Sequence, residues 1–372
     1  MKDATGTDTS RTCSDPESAI QRELESFLSR RRASLSEIDG RCSTIADRLE
    51  SFVLGGGKRM RPRFGIAAYC ACAPTGDSTE SADIDTAVKA LAALELIQAC
   101  ALIHDDIIDA SATRRGLPTV HVALSAEHTE ADWSGNSDAY GRSQAILLGD
   151  IALAWADEMF SEALLDCPTM SIELFRRAHA VWADMKTEVL GGQMLDVHAE
   201  ATDASDLDTP ARVNRFKTAA YTIERPVHLG AVLAGAPPET ITALRTFGVS
   251  MGIAYQLVDD MLGVFGDPEV TGKPSGDDIR EGKRTLLINY ALNEASPADA
   301  AELSRVLGAD LGAEQLARSR DILTASGAVN HVQEEIERLT SEGLSALDHA
   351  ALDAPGEETL RGLAGRAVDR AF

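Results

Sequence analysis

Residues 84–109 read IDTAVKALAALELIQACALIHDDIID. Apolar side chains fall on nearly every side of this run, interrupted chiefly by Lys89, Glu95, Gln98 and His104. A helix that is apolar all round is one surrounded by other helices. The run then ends on three carboxylates, Asp105, Asp106 and Asp109. On a helix Asp105 and Asp109 share a face, and Asp106 is turned away by about 100°. Like charges ~4 Å apart repel by about 1 kcal/mol in water and about 4 kcal/mol at an effective dielectric near 20. The helix is expected to continue towards Ser111, so the cluster lies near a C-terminal end that is already negative. Such a site calls for a counter-ion. A hard divalent cation fits, because Mg²⁺ accepts one or two carboxylates together with water and phosphate oxygens.

A second cluster repeats the pattern. The segment YQLVDDMLGVFGDP (255–268) again sets an Asp-Asp pair, Asp259 and Asp260, at the end of an apolar helical run, with Gly263, Gly266 and Pro268 marking its close. Two such helices facing one another are able to hold several divalent cations inside a bundle. Outside them, Ser18 to Leu54 reads as amphipathic helix closed by Gly55, Gly56 and Gly57, and Pro62 suits the first turn of the next helix. Residues 126–143 read as a long polar loop or a minor helix. Further helices are expected over 144–165, 170–199, 210–234, 239–262 and 283–294, and several more fill the last eighty residues. Strand-like alternation is scarce and no linker divides the chain. The expectation is an all-α fold, with a disordered polar tail at 1–17 and one large domain from 18 to 372.

The bulk composition agrees with that class. The 372 residues are 44% hydrophobic and 5% aromatic, and they carry 35 basic against 59 acidic side chains, a net charge of −24. A chain so acidic is repelled by nucleic acid and by anionic membrane surfaces. No apolar run of about 18 residues is free of charge, so no membrane span is expected. Cys70, Cys72 and Cys100 sit in apolar helical runs and read as small core residues of a reducing compartment, which makes a cytoplasmic location the expectation.

Within this acidic chain the cations are gathered. GGGKRMRPR (55–63) is glycine-rich, then cationic, then enters a helix. Glycines allow close backbone approach, a helix start favours anions, and Lys58, Arg59, Arg61 and Arg63 supply charge. The spacing is not that of a Walker loop. TRRG (113–116) follows the first Asp cluster, FKTA (216–219) carries Lys217, and GKPSGDDIREGKRT (272–285) adds Lys273, Lys283 and Arg284. Basic runs beside acidic metal motifs suit the departure or transfer of a diphosphate group.

These residues resemble the trans-isoprenyl diphosphate synthases, or polyprenyl synthetases, and among them bacterial geranylgeranyl diphosphate synthases. GGKRMRP, DDIIDASATRRGLPTVH, GGQMLD, FKTA and YQLVDDMLGVFGDPEVTGKPSGDDIREGKRT match in order and approximate spacing. The resemblance implies a single-domain isoprenoid-synthase bundle of ten or more helices around a central cavity, usually a homodimer. It implies condensation of isopentenyl diphosphate with an allylic diphosphate (dimethylallyl, geranyl or farnesyl), with two or three Mg²⁺ ions. Carried over by position, Asp105, Asp109 and Asp259 are the metal ligands, supported by Asp106, Asp260 and Gln256. Arg114, Lys217 and Lys273 contact the allylic diphosphate. Lys58, Arg61, Gln98 and Arg115 hold isopentenyl diphosphate. Thr218, Gln193 and Asp196 line the cavity near the reacting carbons, and Lys283 reaches the diphosphate when the site closes. The second Asp motif departs from the family's Asp-Asp-x-x-Asp, since its fifth position is Gly263. The first Asp is the direct ligand in the family, so activity is expected to survive.

Cys100 and Ala101, one turn before Asp105, stand where short-chain members often carry bulky aromatics. Both are small here, which implies a product beyond fifteen carbons, most simply the twenty-carbon geranylgeranyl diphosphate. Farnesyl diphosphate or a product of twenty-five or more carbons is the alternative. A class I terpene cyclase would lack GGKRMRP, and a non-catalytic regulatory subunit would have degenerate Asp motifs.

Overall fold

The structure, a computed structural model, describes residues 15–72, 81–114, 116–202, 206–268 and 275–369. They are almost entirely helical and divide between two compact units, one drawn from residues 1–178 and 229–236, the other from 179–228 and 237–372.

In the first unit, the helix expected from Ser18 to Leu54 is two: α1 (Pro16–Ile38) and α2 (Gly40–Leu54). Asp39 divides them. It adopts an extended conformation, and its carboxylate caps α2 by accepting from the Arg41 amide at 2.9 Å. Residues 1–14 of the expected tail lie outside the described residues, and Pro16 and Glu17 already belong to α1. After α3 (Met60–Cys72), the long apolar run forms α4 (Ile84–Ala92) and α5 (Leu94–Ile108). The break at Ala93 is slight, since that residue keeps right-handed helical angles. By length and composition residues 84–108 match a membrane span, yet 78% of that window is buried inside the fold, as in the core helix of a globular protein.

The end of α5 differs from expectation. The helix stops at Ile108 with Asp109 as its cap, and Ala110 takes a left-handed φ of 52°. The Ser111 amide then donates to Asp106 O and the Ala110 amide to Ile107 O. This is the Schellman closure, with alanine at the position that usually selects glycine. A two-residue antiparallel pair follows, Thr113–Arg114 (β1) against Leu117–Pro118 (β2), turned at Gly116 with φ 75°. It is the only strand pairing among the described residues. The polar stretch 126–143 is mostly helical: α6 (Val120–Glu130) and α7 (Ser137–Leu165) leave a short connection. The 29-residue α7 packs along α5 and α6.

The second unit is built around a long helix. After α8 (Ile172–Ala201), the helix expected at 210–234 is divided into α9 (Asp208–Val213), a π-helix (Asn214–Glu224) and α10 (Arg225–Leu233). The long α11 (Pro238–Phe265) packs on the π-helix. Gly248 and Gly252, one turn apart on α11, make room for that wider coil. A β-carbon on Gly248 would come within 2.5 Å of Glu224 Cα, and one on Gly252 within 2.7 Å of Ala219 Cα. Glu224 is fully buried and is held by Arg215 at 2.6 Å and Arg245 at 2.9 Å. Beyond come α12 (Asp277–Glu281), α13 (Leu286–Glu294), α14 (Pro297–Val306), α15 (Ala313–Ala325), α16 (Ala328–Leu347) and α17 (Ala354–Val368). Leu257, Met261 and Val264 of α11 share one apolar core with Leu287, Leu303, Leu323 and Val332.

The cysteines follow the sequence reading in part. Cys100 is buried and Cys72 half-buried, both as free thiols, whereas Cys70 is disulfide-bonded.

Candidate active site

The candidate residues fall into two groups, one in each unit. In the first unit, α5 carries Gln98, Ala101, Leu102, Asp105 and Asp109 on its less buried side, as their spacing around the helix requires. Asp106 lies on the other side and is 1% exposed. Its Oδ1 accepts from Arg114 Nη2 at 2.6 Å and Nε at 2.8 Å, and Arg114 Nη2 stands 3.9 Å from Asp105 Oδ2. The Asp106 Oδ2 is buried without a hydrogen-bond partner. Burial pushes the Asp106 carboxyl above its ordinary value, with Arg114 opposing and Asp105 adding to the rise. Arg114, expected on the allylic diphosphate, also pairs with the acidic cluster, to which the β1–β2 pair delivers it.

The two chain-length candidates separate. Ala101 lies on the open side of α5 with Asp105. Cys100 is 4% exposed and faces α7: its Sγ is 3.8 Å from His104 Nδ1, and His104 Nε2 is 3.1 Å from Ile146 O on that helix. A β-carbon on Gly149 of α7 would meet the His104 ring at 2.1 Å, so the two helices approach closely there.

Among the cations of residues 55–63, Lys58 is exposed and Arg61 half-buried. Arg63 and Arg59 take part in ion pairs with acidic side chains. Arg63 Nη1 lies 2.6 Å from Glu17, and Arg59 is buried against Glu95. The expectation that all four supply charge to an anion is corrected to that extent. Arg115 lies outside the described residues.

In the second unit, Lys217 and Thr218 sit on the π-helix, and Lys217 Nζ is 2.6 Å from Asp196 Oδ2 on α8. Gly192 of the GGQMLD segment admits this contact, since a β-carbon there would fall 2.3 Å from the Lys217 amide nitrogen. Gln193 is half-buried on the same turn. On α11, Asp259 is half-buried and Asp260 is 3% exposed. Gln256 Nε2 donates to Asp260 Oδ1 at 2.6 Å and Asn214 Nδ2 to Oδ2 at 3.5 Å. Burial, together with the negative charge of Asp278, pushes the Asp260 carboxyl up to about 8.

Gly263 finds its explanation here. A β-carbon on it would lie 2.0 Å from Asp278 Oδ2. The space beside the fifth position of the second motif is filled by a carboxylate from α12, so this region keeps three acids without an aspartate at 263. Lys283 Nζ is 3.6 Å from Asp278 Oδ1 and 2.5 Å from Glu281 Oε2. Lys273 lies outside the described residues. Asp278 and Asn214 were not singled out from sequence. Asp278 stood inside a motif already quoted, and Asn214 lies only three residues before Lys217.

The donors of each unit suit a divalent cation. In the first unit Asp105 and Asp109, and in the second Asp259, offer hard oxygen ligands with some solvent access. Among the described residues no three His, Cys, Asp or Glu side chains converge into a closed cage. An ion bound by one or two carboxylates and completed by water or phosphate oxygens is what such a site can hold.

Comparison with known proteins gives the same answer. The family described as Polyprenyl synthetase matches residues 43–322. A geranylfarnesyl diphosphate synthase from Aeropyrum pernix is 34% identical over 333 residues, 88% of this chain and 96% of that one. A geranylgeranyl diphosphate synthase from Mycobacterium tuberculosis is 33% identical over 296 residues, 79% of this chain and 75% of its own. Among solved structures, geranylgeranyl pyrophosphate synthase from Corynebacterium glutamicum, complexed with isoprenyl diphosphate and magnesium, superposes with a TM-score of 0.89 at 43% identity, over 95% of this chain and 98% of that one.

Proposed function

Because the chain belongs to the polyprenyl synthetase family and is a trans-prenyl diphosphate synthase of all-α fold, we propose that it makes geranylgeranyl diphosphate. The observation that carries this reading is Ala101. It stands one turn before Asp105 on the less buried side of α5, and its methyl group is small where a bulky side chain would shorten the product. The likeness to proteins named geranylgeranyl synthases supports it. The relative from Aeropyrum pernix favours a second reading, a twenty-five-carbon product.

The family uses divalent metal ions; here Mg²⁺ is proposed, two or three ions per site, with Asp105, Asp109 and Asp259 as ligands. When bound, the metal supplies Lewis-acid stabilisation of the departing diphosphate. The chain's own residues do the rest. Lys217 and Arg114 add positive charge where the allylic diphosphate leaves, which lowers the barrier to forming the allylic cation. Lys58, Arg61 and Gln98 hold isopentenyl diphosphate so that its double bond attacks that cation as a near neighbour. The proton then lost is taken up by released diphosphate, in keeping with a sequence that has no Ser-His-Asp or Cys-His arrangement. Asp106, neutralised by Arg114, fixes the end of α5 so that Asp105 and Asp109 point together. A homodimer in the cytoplasm is proposed as well; Ile146 and Leu147 on α7, and Leu190 and Met194 on α8, are exposed apolar side chains available for burial.

The test is incubation with labelled isopentenyl diphosphate, Mg²⁺ and each of dimethylallyl, geranyl and farnesyl diphosphate, followed by chromatography of the products. A dominant twenty-carbon product is expected. A dominant fifteen- or twenty-five-carbon product would overturn the chain length, and no incorporation with any primer would overturn the activity.

A further inference from the structure

The segment 55–59 enters α3 through an unusual backbone. Gly56 and Gly57 have φ of 111° and 129°, and Arg59, which is not glycine, has φ 46°. A left-handed conformation in a long side chain persists only where its surroundings over-determine it. Here they do. Arg59 Nη1 donates to Glu95 Oε2 at 2.7 Å and Nη2 to Gln21 Oε1 at 3.1 Å. The Arg59 and Glu95 side chains are only 8% and 9% exposed. The Arg59 carbonyl meanwhile accepts the first backbone bond of α3, from the Arg63 amide at 3.1 Å. One residue thus starts a helix, holds a strained turn and carries a buried charge.

Its neighbours give the arrangement a consequence. Lys58 immediately precedes Arg59, Arg61 follows within the first turn of α3, and Glu95 stands one turn before Gln98 on α5. We propose that Arg59 and Glu95, with Gln21, are positioning residues. Their buried pair fixes the basic loop to the turn of α5 that bears Gln98, and so sets where Lys58 and Arg61 meet the diphosphate of isopentenyl diphosphate. Arg59 itself touches no substrate. The inference rests on the reading of Lys58, Arg61 and Gln98 as the isopentenyl diphosphate site.

Steady-state kinetics with each substrate varied in turn, in the full-length enzyme with Mg²⁺, test it. Removing one partner strands a buried charge, so the informative variant is the double Arg59→Met/Glu95→Met, in which both charges go together. The KM for isopentenyl diphosphate is expected to rise roughly ten- to a hundredfold, the range that ~1 Å of misplacement produces. The KM for the allylic primer should stay within about twofold. Gln21→Met, which deletes one hydrogen bond and strands no charge, should move the isopentenyl KM in the same direction by less, and keeps the proposal testable if the double variant fails to fold. Arg59→Lys should recover part of the loss. An isopentenyl KM that stays at the wild-type value in both variants, or a rise shared equally by both substrates, overturns the proposal. Lys58→Ala is the control on the underlying reading: if it leaves the isopentenyl KM unchanged, that reading fails and the proposal fails with it.

Discussion

The carboxylate of Asp278 rests against Gly263, so closely that a β-carbon at 263 would meet Oδ2 at 2.0 Å. The two residues are therefore a pair, in which the side chain missing from one is supplied by the other. Writing the family's usual aspartate back into the chain, Gly263→Asp, should lower stability by about 1–3 kcal/mol through overpacking and like-charge repulsion, and should lower activity. The compensated double variant Gly263→Asp/Asp278→Gly should recover much of both. Thermal melts and initial rates decide it; a single Gly263→Asp variant as stable and active as wild type would show that the contact does not constrain position 263.

Ala101 and Cys100 should respond in opposite ways to enlargement. Ala101→Phe places a ring on the open side of α5 and should shift the product towards fifteen carbons with little loss of stability. Cys100→Phe pushes into α7, where Gly149 already meets His104, and should destabilise by about 1–3 kcal/mol without shortening the product. The Cys100 thiol, raised by burial to about 11, should also resist alkylation at pH 8. Product chromatography and peptide mass spectrometry after iodoacetamide treatment read these outcomes.

Arg114→Met leaves the buried Asp106 without its cation and should cost about 3–5 kcal/mol of stability. The double variant Asp106→Asn/Arg114→Met removes the charge that is stranded and should melt measurably higher than Arg114→Met alone. Equal melting temperatures for the single and double variants would mean that the pair is not coupled.

Asp260 gives the pH dependence. Its folded-state value of about 8 lies above the ordinary carboxyl value near 4, so the folded protein binds the extra proton. Its stabilising contribution is present below about pH 4 and is lost as pH rises through about 8. In EDTA, the wild-type melting temperature should fall over that interval, and Asp260→Asn should flatten the fall. Adding Mg²⁺ at pH 8 should recover stability in the wild type, because a cation beside Asp259 offsets the charge on its neighbour. No Mg²⁺-dependent shift at pH 8 would argue against an ion there.

What the sequence made legible was local. The run 84–109 announced a buried helix because its periodicity is complete within itself, and both Asp pairs stood out because carboxylates at the end of apolar runs need an explanation. What stayed hidden depended on distant partners. Four cations at 58–63 look alike in sequence; which one turns inward is decided by Glu95, 36 residues on. The π-helix cannot be read from NRFKTAAYTIE, because the room for it comes from Gly248 and Gly252 on another helix. The helix is expected to run on towards Ser111 because no residue type there signals a stop, and the alanine that takes the left-handed turn is an ordinary helix former.

That turn has a kinetic consequence. The Schellman closure at Ala110 reverses the chain just after Asp109, and the hairpin beyond it returns Arg114 to Asp106 across only eight residues. Loops of that size close in about 10–100 ns, far ahead of contacts between remote segments. The most buried carboxylate of the acidic cluster, Asp106, is thus expected to meet its cation early in folding, from its own downstream sequence.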